Sequence, residues 1–390
     1  MNSWRNITVD DLGQVITGYT PPVKKTEYFG DEYPFITPSD MTMDTRIVQT
    51  ERFLSQKGYE YRKNRLLPPN AICVVCVASL GKICMTTVPS ATNQQINSVV
   101  VNQDKYDPYF VYYLLRTKAD VIQSVAGGVA TPIVKKSTFA GINVCVPPLP
   151  TQRKIAAVLS TYDDLIENNT RRIEILEEMA QAIYREWFVN FRFPGHEGVE
   201  IVDSELGVIP QGWEVKKVKE IVKRLKAGQT YKEAEVKDTG KIIVVDQSRA
   251  DFLGFHENEP DHDASPIDPI IIFGDHTCKM QLMITPFSLG PNVVPFIAKD
   301  EMPINYLFFG VSNLVETREY KRHWTELNNK EIAVGDLETI ERFADFTTPI
   351  FEQIETLRQK NQNLRQTRDL LLPKLISGEI DISELDIDTD

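Results

Sequence analysis

A strict alternation of four- and three-residue steps between apolar or small positions runs through residues 147–193. It reads Ile155, Leu159, Tyr162, Ile166, Asn169, Ile173, Leu176, Ala180, Ile183, Trp187. A repeat of 3.5 residues keeps one seam of a helix turned toward a partner helix and imposes a left-handed supercoil. Pro147, Pro148 and Pro150 bar helix before it, Thr151 offers an N-cap, and Pro194 and Gly195 close it. A helix over 152–190 would be roughly 55–60 Å long at 1.5 Å per residue. A rod of that length cannot hide its seam on a small globule, so it needs a second rod.

The same chain supplies one. From Ile350 the steps read Ile350, Ile354, Leu357, Asn361, Leu364, Arg368, Leu371, Leu375. A shift of 188 residues lays Ile166-Glu167 on Ile354-Glu355, Leu176 on Leu364 and Ile183 on Leu371. The plan is therefore domain, rod, domain, rod: residues 1–149, 150–193, 194–346 and 347–378, then an acidic tail at 379–390. Antiparallel pairing is the simpler way for two rods to meet across an intervening domain. The expected fold is α+β, with two α/β domains related by a pseudo-two-fold axis and separated by an antiparallel coiled coil of two long helices.

The two domains share a frame. Residues 1–149 read as strands at 33–41, 71–88, 96–102 and 142–148, with a helical stretch at 107–126. Residues 196–346 repeat this loosely. Trp213 mirrors Trp4, KIIVVDQS (241–248) mirrors YPFITPSD, and PIIIFGDHTCKMQLMI (269–284) mirrors the Cys-rich strand pair. At an offset of 195, Asn97 lies on Asn292 and Pro108 on Pro303. The loop before the last strand differs, HWTELNNKEI (323–332) facing GGVATPIVKKS (127–137). Two heads of different specificity would show this pattern, and so would simple duplication.

No apolar run reaches the length of a membrane span and MNSWRNITVDD lacks a signal-peptide core, so cytoplasmic residence is the default. Five cysteines in such a compartment read as buried thiols. Cys73 and Cys76, three apart on a strand, point to opposite faces. The net charge of −12 is concentrated. Residues 251–268 and 377–390 carry six acids each and no Lys or Arg; without them the chain is neutral. Two basic runs, 216–226 and 57–65, then stand out as phosphate-binding candidates or solvated helix faces.

The sequence contains no phosphate loop, no dinucleotide fingerprint, no amino-methyltransferase motif and no defensible nucleophile–base set. Its five histidines have no ligand spacing, and Asp261-His262-Asp263 reads as an acidic loop rather than a metal site. The chain reads as a binder rather than a catalyst, with no metal and no cofactor of its own. Several loops suit DNA. Asn93, Gln94, Gln95 and Asn97 have the side chains that pair with two edge atoms of adenine, although a polar turn bonding to its own backbone has the same letters. Thr131, Lys135 and Lys136 follow a Gly-Gly pair, a combination of close approach and phosphate charge. Tyr19, Lys24, Lys25 and Ser39 complete the first set. In the second half the candidates are Lys226, Gln229, Tyr231, Lys232, Gln247, Ser248, Arg249 and Lys279. Tyr184, Trp187, Phe188, Phe191 and Phe193 are more aromatics than one seam needs. They are candidates for docking a partner subunit, or for packing the rod end on the second domain.

PFITPSDM, ATNQQINSVV, VPPLPTQRKIAAVLSTYDDLIENNTRRIEILEEMAQAIYREWF, LGVIPQGWEV and LRQTRDLLLPKLISGEI, in this order, resemble the phrases of one family: the specificity (S) subunits of Type I restriction-modification systems. The rods carry most of the resemblance; the second domain departs more, notably at DQSRADFLGF. The resemblance implies two target-recognition domains, each reading half of a bipartite double-stranded DNA site, and helices that measure the spacer between the half-sites. It also implies docking of two methyltransferase (M) subunits and, through them, restriction (R) subunits. S-adenosylmethionine, ATP and Mg belong to those partners. The competing reading is a coiled-coil scaffold with two protein-binding heads.

Overall fold

A computed structural model describes residues 4–41, 46, 50–127, 131–237, 240–248, 252–317 and 321–389. The chain forms two compact units, residues 1–168 with 361–390, and residues 169–360. Each unit thus holds one domain and a piece of each of two long helices, Leu149–Tyr184 and Leu337–Ser377.

In unit 1 four antiparallel strands stand in the order Gly13–Thr17, Ile96–Val101, Ile72–Val75, Ile83–Met85. A second sheet orders Phe29–Gly30, Phe53–Leu54, Tyr33–Ile36 and Ala91–Thr92, its last pair parallel. Arg5–Thr8 pairs with Asn143–Val146. The sequence predicts most of these strands, and predicts one helical stretch where the chain makes two helices, Pro108–Arg116 and Ala119–Ser124. Cys73 and Cys76 fall on opposite faces, in different apolar clusters. Phe110, Tyr112, Tyr113 and Phe139 are fully enclosed with Ile155, Leu159, Leu375 and Ile376 from the long helices. Enclosing a side chain such as Leu159 is worth roughly 2 kcal/mol.

Unit 2 repeats the topology. Val222–Arg224, Val293–Ala298, Ile270–Gly274 and Met280–Met283 form the four-stranded sheet. Gly254–His256, Ile242–Val245 and Phe287–Leu289 form the second, again with a parallel last pair. Glu214–Lys217 pairs with Glu331–Val334. The basic run 216–226 is therefore not one helix face: it passes from strand to a one-turn helix to strand.

Within unit 1 the long helices run antiparallel. Asp163 meets Arg368 and Ile166 meets Asn361, so one number falls as the other rises. The buried seam is the expected one early on, at Ile155, Leu159, Ile166 and Asn169. By the end of the first helix it has moved one position, to Tyr184, the drift of a helix with 3.6 residues per turn, and Phe188 follows in the π-helical turn Arg185–Val189. Two boundaries differ from expectation. The first helix starts at Leu149, so Thr151 lies inside its first turn; Pro150 needs no N–H there, and the Gln152 side chain donates to the Pro147 carbonyl at 2.8 Å. The second starts ten residues early, at Leu337, where the Asp336 carboxylate accepts from the Thr339 N–H at 2.9 Å and from the Trp213 indole at 3.2 Å. The acidic tail is fastened to unit 1: Ile382 is buried, and Lys154 Nζ donates to the Ser383 and Leu385 carbonyls at 2.7 Å. No helix among the described residues is long and apolar enough to cross a membrane.

Candidate nucleic-acid interface

In unit 1 backbone bonds draw the candidate loops to one edge of the two sheets. The Tyr19 N–H donates to the Thr92 carbonyl at 2.7 Å and the Asn93 N–H to Ile36 at 3.1 Å. The Cys76 N–H reaches Gln95, and the Ala78 N–H reaches Pro132, at 2.8 and 3.0 Å. Lys82 Nζ donates to the Pro38 carbonyl at 3.3 Å. Segments around 18–20, 37–41, 76–82, 92–95 and 131–136 thus form one surface.

The candidates divide on that surface. Asn93 bonds to Gln95 through both its side-chain ends, 2.9 and 3.0 Å, and the buried Asn97 accepts from Thr17 at 2.6 Å. Those two side chains hold the turn and have little left for a base edge. Tyr19 is also structural: its hydroxyl donates to Gly58 and Tyr59 carbonyls, and burial pushes its pKa up to about 12. Gln94, Ser39, Thr131, Lys135, Lys136, Lys24 and Lys25 are exposed, and Gln95 is half-exposed. Gln94 accepts from Thr20 at 2.6 Å, and Lys25 lies over the Tyr28 ring. Arg52 and Lys82 join this surface without having been expected from the sequence. Arg52 Nη2 donates to Thr37 Oγ1 at 2.6 Å, and both cations brace the 37–41 turn. Neither sits in a basic run, so no local pattern marks them.

Unit 2 builds the same cluster from other residues. Lys226, Gln229 and Lys232 are exposed along the 226–232 loop, and the Gln229 N–H is fixed by Asp261 at 2.9 Å. Tyr231 is buried and stacked on His256 at 4.3 Å. Gln247 accepts from the His276 N–H at 3.1 Å, Ser248 bonds to Asp246, and Lys279 is half-exposed nearby. Arg249 lies outside the described residues. Asp275 ties in the 321–324 segment by accepting from the Trp324 N–H at 2.9 Å, while the His323 N–H donates to its carbonyl. His262 stacks on Phe287 at 4.8 Å and its Nε2 meets the Ala227 carbonyl at 3.2 Å, a structural role.

The aromatic run at the end of the first helix is core. Tyr184, Phe188 and Phe193 are buried, and Trp187 and Phe191 are partly buried, among Trp213, Tyr306 and Phe343. The docking reading of these five is corrected to packing, because the second domain closes around them. Exposed apolar side chains lie elsewhere on the long helices: Leu165 and Leu370 in unit 1, and Ile175, Met179 and Phe346 in unit 2.

Known proteins share features with this chain at both the sequence and the fold level. Residues 1–178 match the Type I restriction modification DNA specificity domain. The MjaIX specificity subunit of a Type I restriction enzyme from Methanocaldococcus jannaschii is 28% identical over 98% of this chain and 94% of its own length. The HindI specificity subunit from Haemophilus influenzae is 36% identical over 42% of this chain and 38% of its own. Among solved structures, the S subunit of a Type I restriction-modification system from M. genitalium aligns over 95% of this chain and 96% of its own, with a TM-score of 0.53 at 15% identity.

Proposed function

We propose that the chain is a specificity subunit of a Type I restriction-modification system and that it reads a bipartite DNA target, one half-site per domain. The observation that carries the reading is one loop cluster built twice on one topology with different side chains. A common frame with unlike loops gives two different base readings. In unit 1 the exposed Gln94 and the half-exposed Gln95 face bases, while Lys24, Lys25, Lys135 and Lys136 take phosphates. In unit 2 Gln229 and Gln247 take the first role and Lys226, Lys232 and Lys279 the second. Two weak readers in one chain raise each other's effective concentration.

The chain has no catalytic part in this reading. Methyltransferase subunits dock on the exposed apolar side chains of the long helices and supply S-adenosylmethionine chemistry; restriction subunits join through them with ATP and Mg. Mapping methylated adenines in DNA exposed to the chain with its methyltransferase subunit tests the proposal. A split recognition sequence is expected. Methylation without sequence preference, or methylation by this chain alone, would sink it.

A further inference from the structure

In unit 1 the connection of residues 37–52 joins Tyr33–Ile36 to Phe53–Leu54 and carries two arginines placed in opposite ways. Arg46 is 5% exposed, and its guanidinium is used up inside the protein. It donates to Asp164 at 2.5 Å and to both Glu167 oxygens at 2.9 and 3.2 Å. Arg52 is exposed. Among the described residues no carboxylate pairs with it, and its side chain makes a single hydrogen bond, from Nη2 to Thr37 Oγ1 at 2.6 Å.

That bond has a fixed direction. Thr37 is buried, and its hydroxyl donates to Asp40 Oδ2 at 2.7 Å, so it can only accept from Arg52. The same carboxylate oxygen accepts from the Thr37 N–H at 2.7 Å and closes the one-turn helix Pro38–Asp40. The guanidinium lies over the Phe35 ring, 5.8 Å from its centre. Its backbone is tied down as well. The Phe35 N–H donates to the Arg52 carbonyl at 2.9 Å, and the Arg52 N–H donates to Thr50 Oγ1 at 3.2 Å. An arginine free in solvent loses rotamer entropy when it docks; Arg52 is ordered beforehand. Whichever Nη2 hydrogen Thr37 takes, an adjacent pair of N–H groups remains free on the guanidinium. A planar cation held still with such a pair to offer suits a partner with two acceptors side by side. Guanine presents that pair, O6 and N7, in the major groove. Thr37 and Pro38 stand on the edge where the candidate loops meet, and Lys82 Nζ reaches the Pro38 carbonyl there at 3.3 Å.

We propose that Arg52 is a specificity-determining residue of unit 1, reading a guanine through O6 and N7. The proposal rests on the DNA reading above and adds a base to it: the half-site read by unit 1 contains a G·C pair. The test uses the full chain with its methyltransferase subunit and a duplex carrying the target mapped from its methylated adenines. Each guanine of the target is replaced in turn by 7-deazaguanine, which pairs normally but lacks the N7 acceptor, and binding is read by anisotropy. At one guanine the replacement should weaken the parent by roughly tenfold or more. R52M or R52A, whichever melts as the parent does, should bind the natural duplex weakly and lose nothing further at that guanine, while the other replacements act on it as on the parent. Its methylation map should relax at that position alone. A parent indifferent to every replacement overturns the assignment without any variant. Losses that add at every guanine overturn it too. If the variant is weaker on all sequences alike, with the slope of log K against log salt reduced by about one, Arg52 holds a phosphate and the assignment fails. A target that is not split sinks the DNA reading itself; a split target that the variant still reads in full sinks the guanine assignment alone.

Discussion

Arg368 is fully buried, donates to Asp163 at 2.5 Å, and Asp163 in turn accepts from the Tyr113 hydroxyl at 2.5 Å. Removing one member of such a pair strands a charge away from water, which costs about 3–5 kcal/mol. R368A should therefore lower the denaturation midpoint of the chain sharply. Unit 2 shows the alternative solution at the equivalent positions: Phe308, Phe351 and Ala180, with the two rings 6.1 Å apart. Copying it into unit 1 as Y113F/D163F/R368A should recover most of the loss in chemical denaturation; additive losses would contradict the equivalence. Glu355 makes a second prediction at this scale. Burial raises its folded pKa, so its charged form opposes folding above that value and its protonated form does not below it. E355Q should raise the melting temperature by roughly 2 °C at pH 8 after discounting for partial exposure, and the gain should disappear near pH 4. An equal gain at both pH values would mean that the carboxylate is not strained by burial.

At the level of elements, the reading loops are where single exchanges should separate affinity from specificity. K135A and K136A should weaken DNA binding for every sequence and reduce the slope of log K against log salt by about one each, read by anisotropy. Q94A should cost roughly 1–3 kcal/mol on the preferred half-site and relax its discrimination. N93A should instead unfold the turn that Asn93 braces. Sequence and structure agree best on the helices, because an apolar period of 3.5 sustained over many turns suits little but a long helix packed along one seam. The early start of the second helix was hidden by Pro349, a residue type that usually marks a boundary. Here the helix runs through it, with Thr347 and Thr348 bonding back to the Phe343 and Ala344 carbonyls. Asn93 and Asn97 were legible as a polar turn but not as buried, since burial depends on strands distant in sequence. The aromatics from Tyr184 to Phe193 stayed open between docking and packing for the same reason: Trp213, Tyr306 and Phe343, which cover them, lie far along the chain.

At the scale of the whole molecule, the duplicated topology predicts independence of the two readings. Replacing residues 1–149 by another domain of the kind should change one half of the methylated site and leave the other; a change in both would refute one domain per half-site. The duplication is not symmetric inside, however, since one copy carries a buried ionic node and the other an edge-to-face ring pair. Unit 1 is also discontinuous, drawing on residues 361–390 for Leu375, Ile376, Ile382 and the partner of Asp163. During synthesis the first domain emerges early but lacks those side chains until residues 361–390 have left the ribosome. Its apolar surface must stay covered through the making of everything between, which assigns to the nascent chain, rather than to the finished protein, the greatest need for a chaperone.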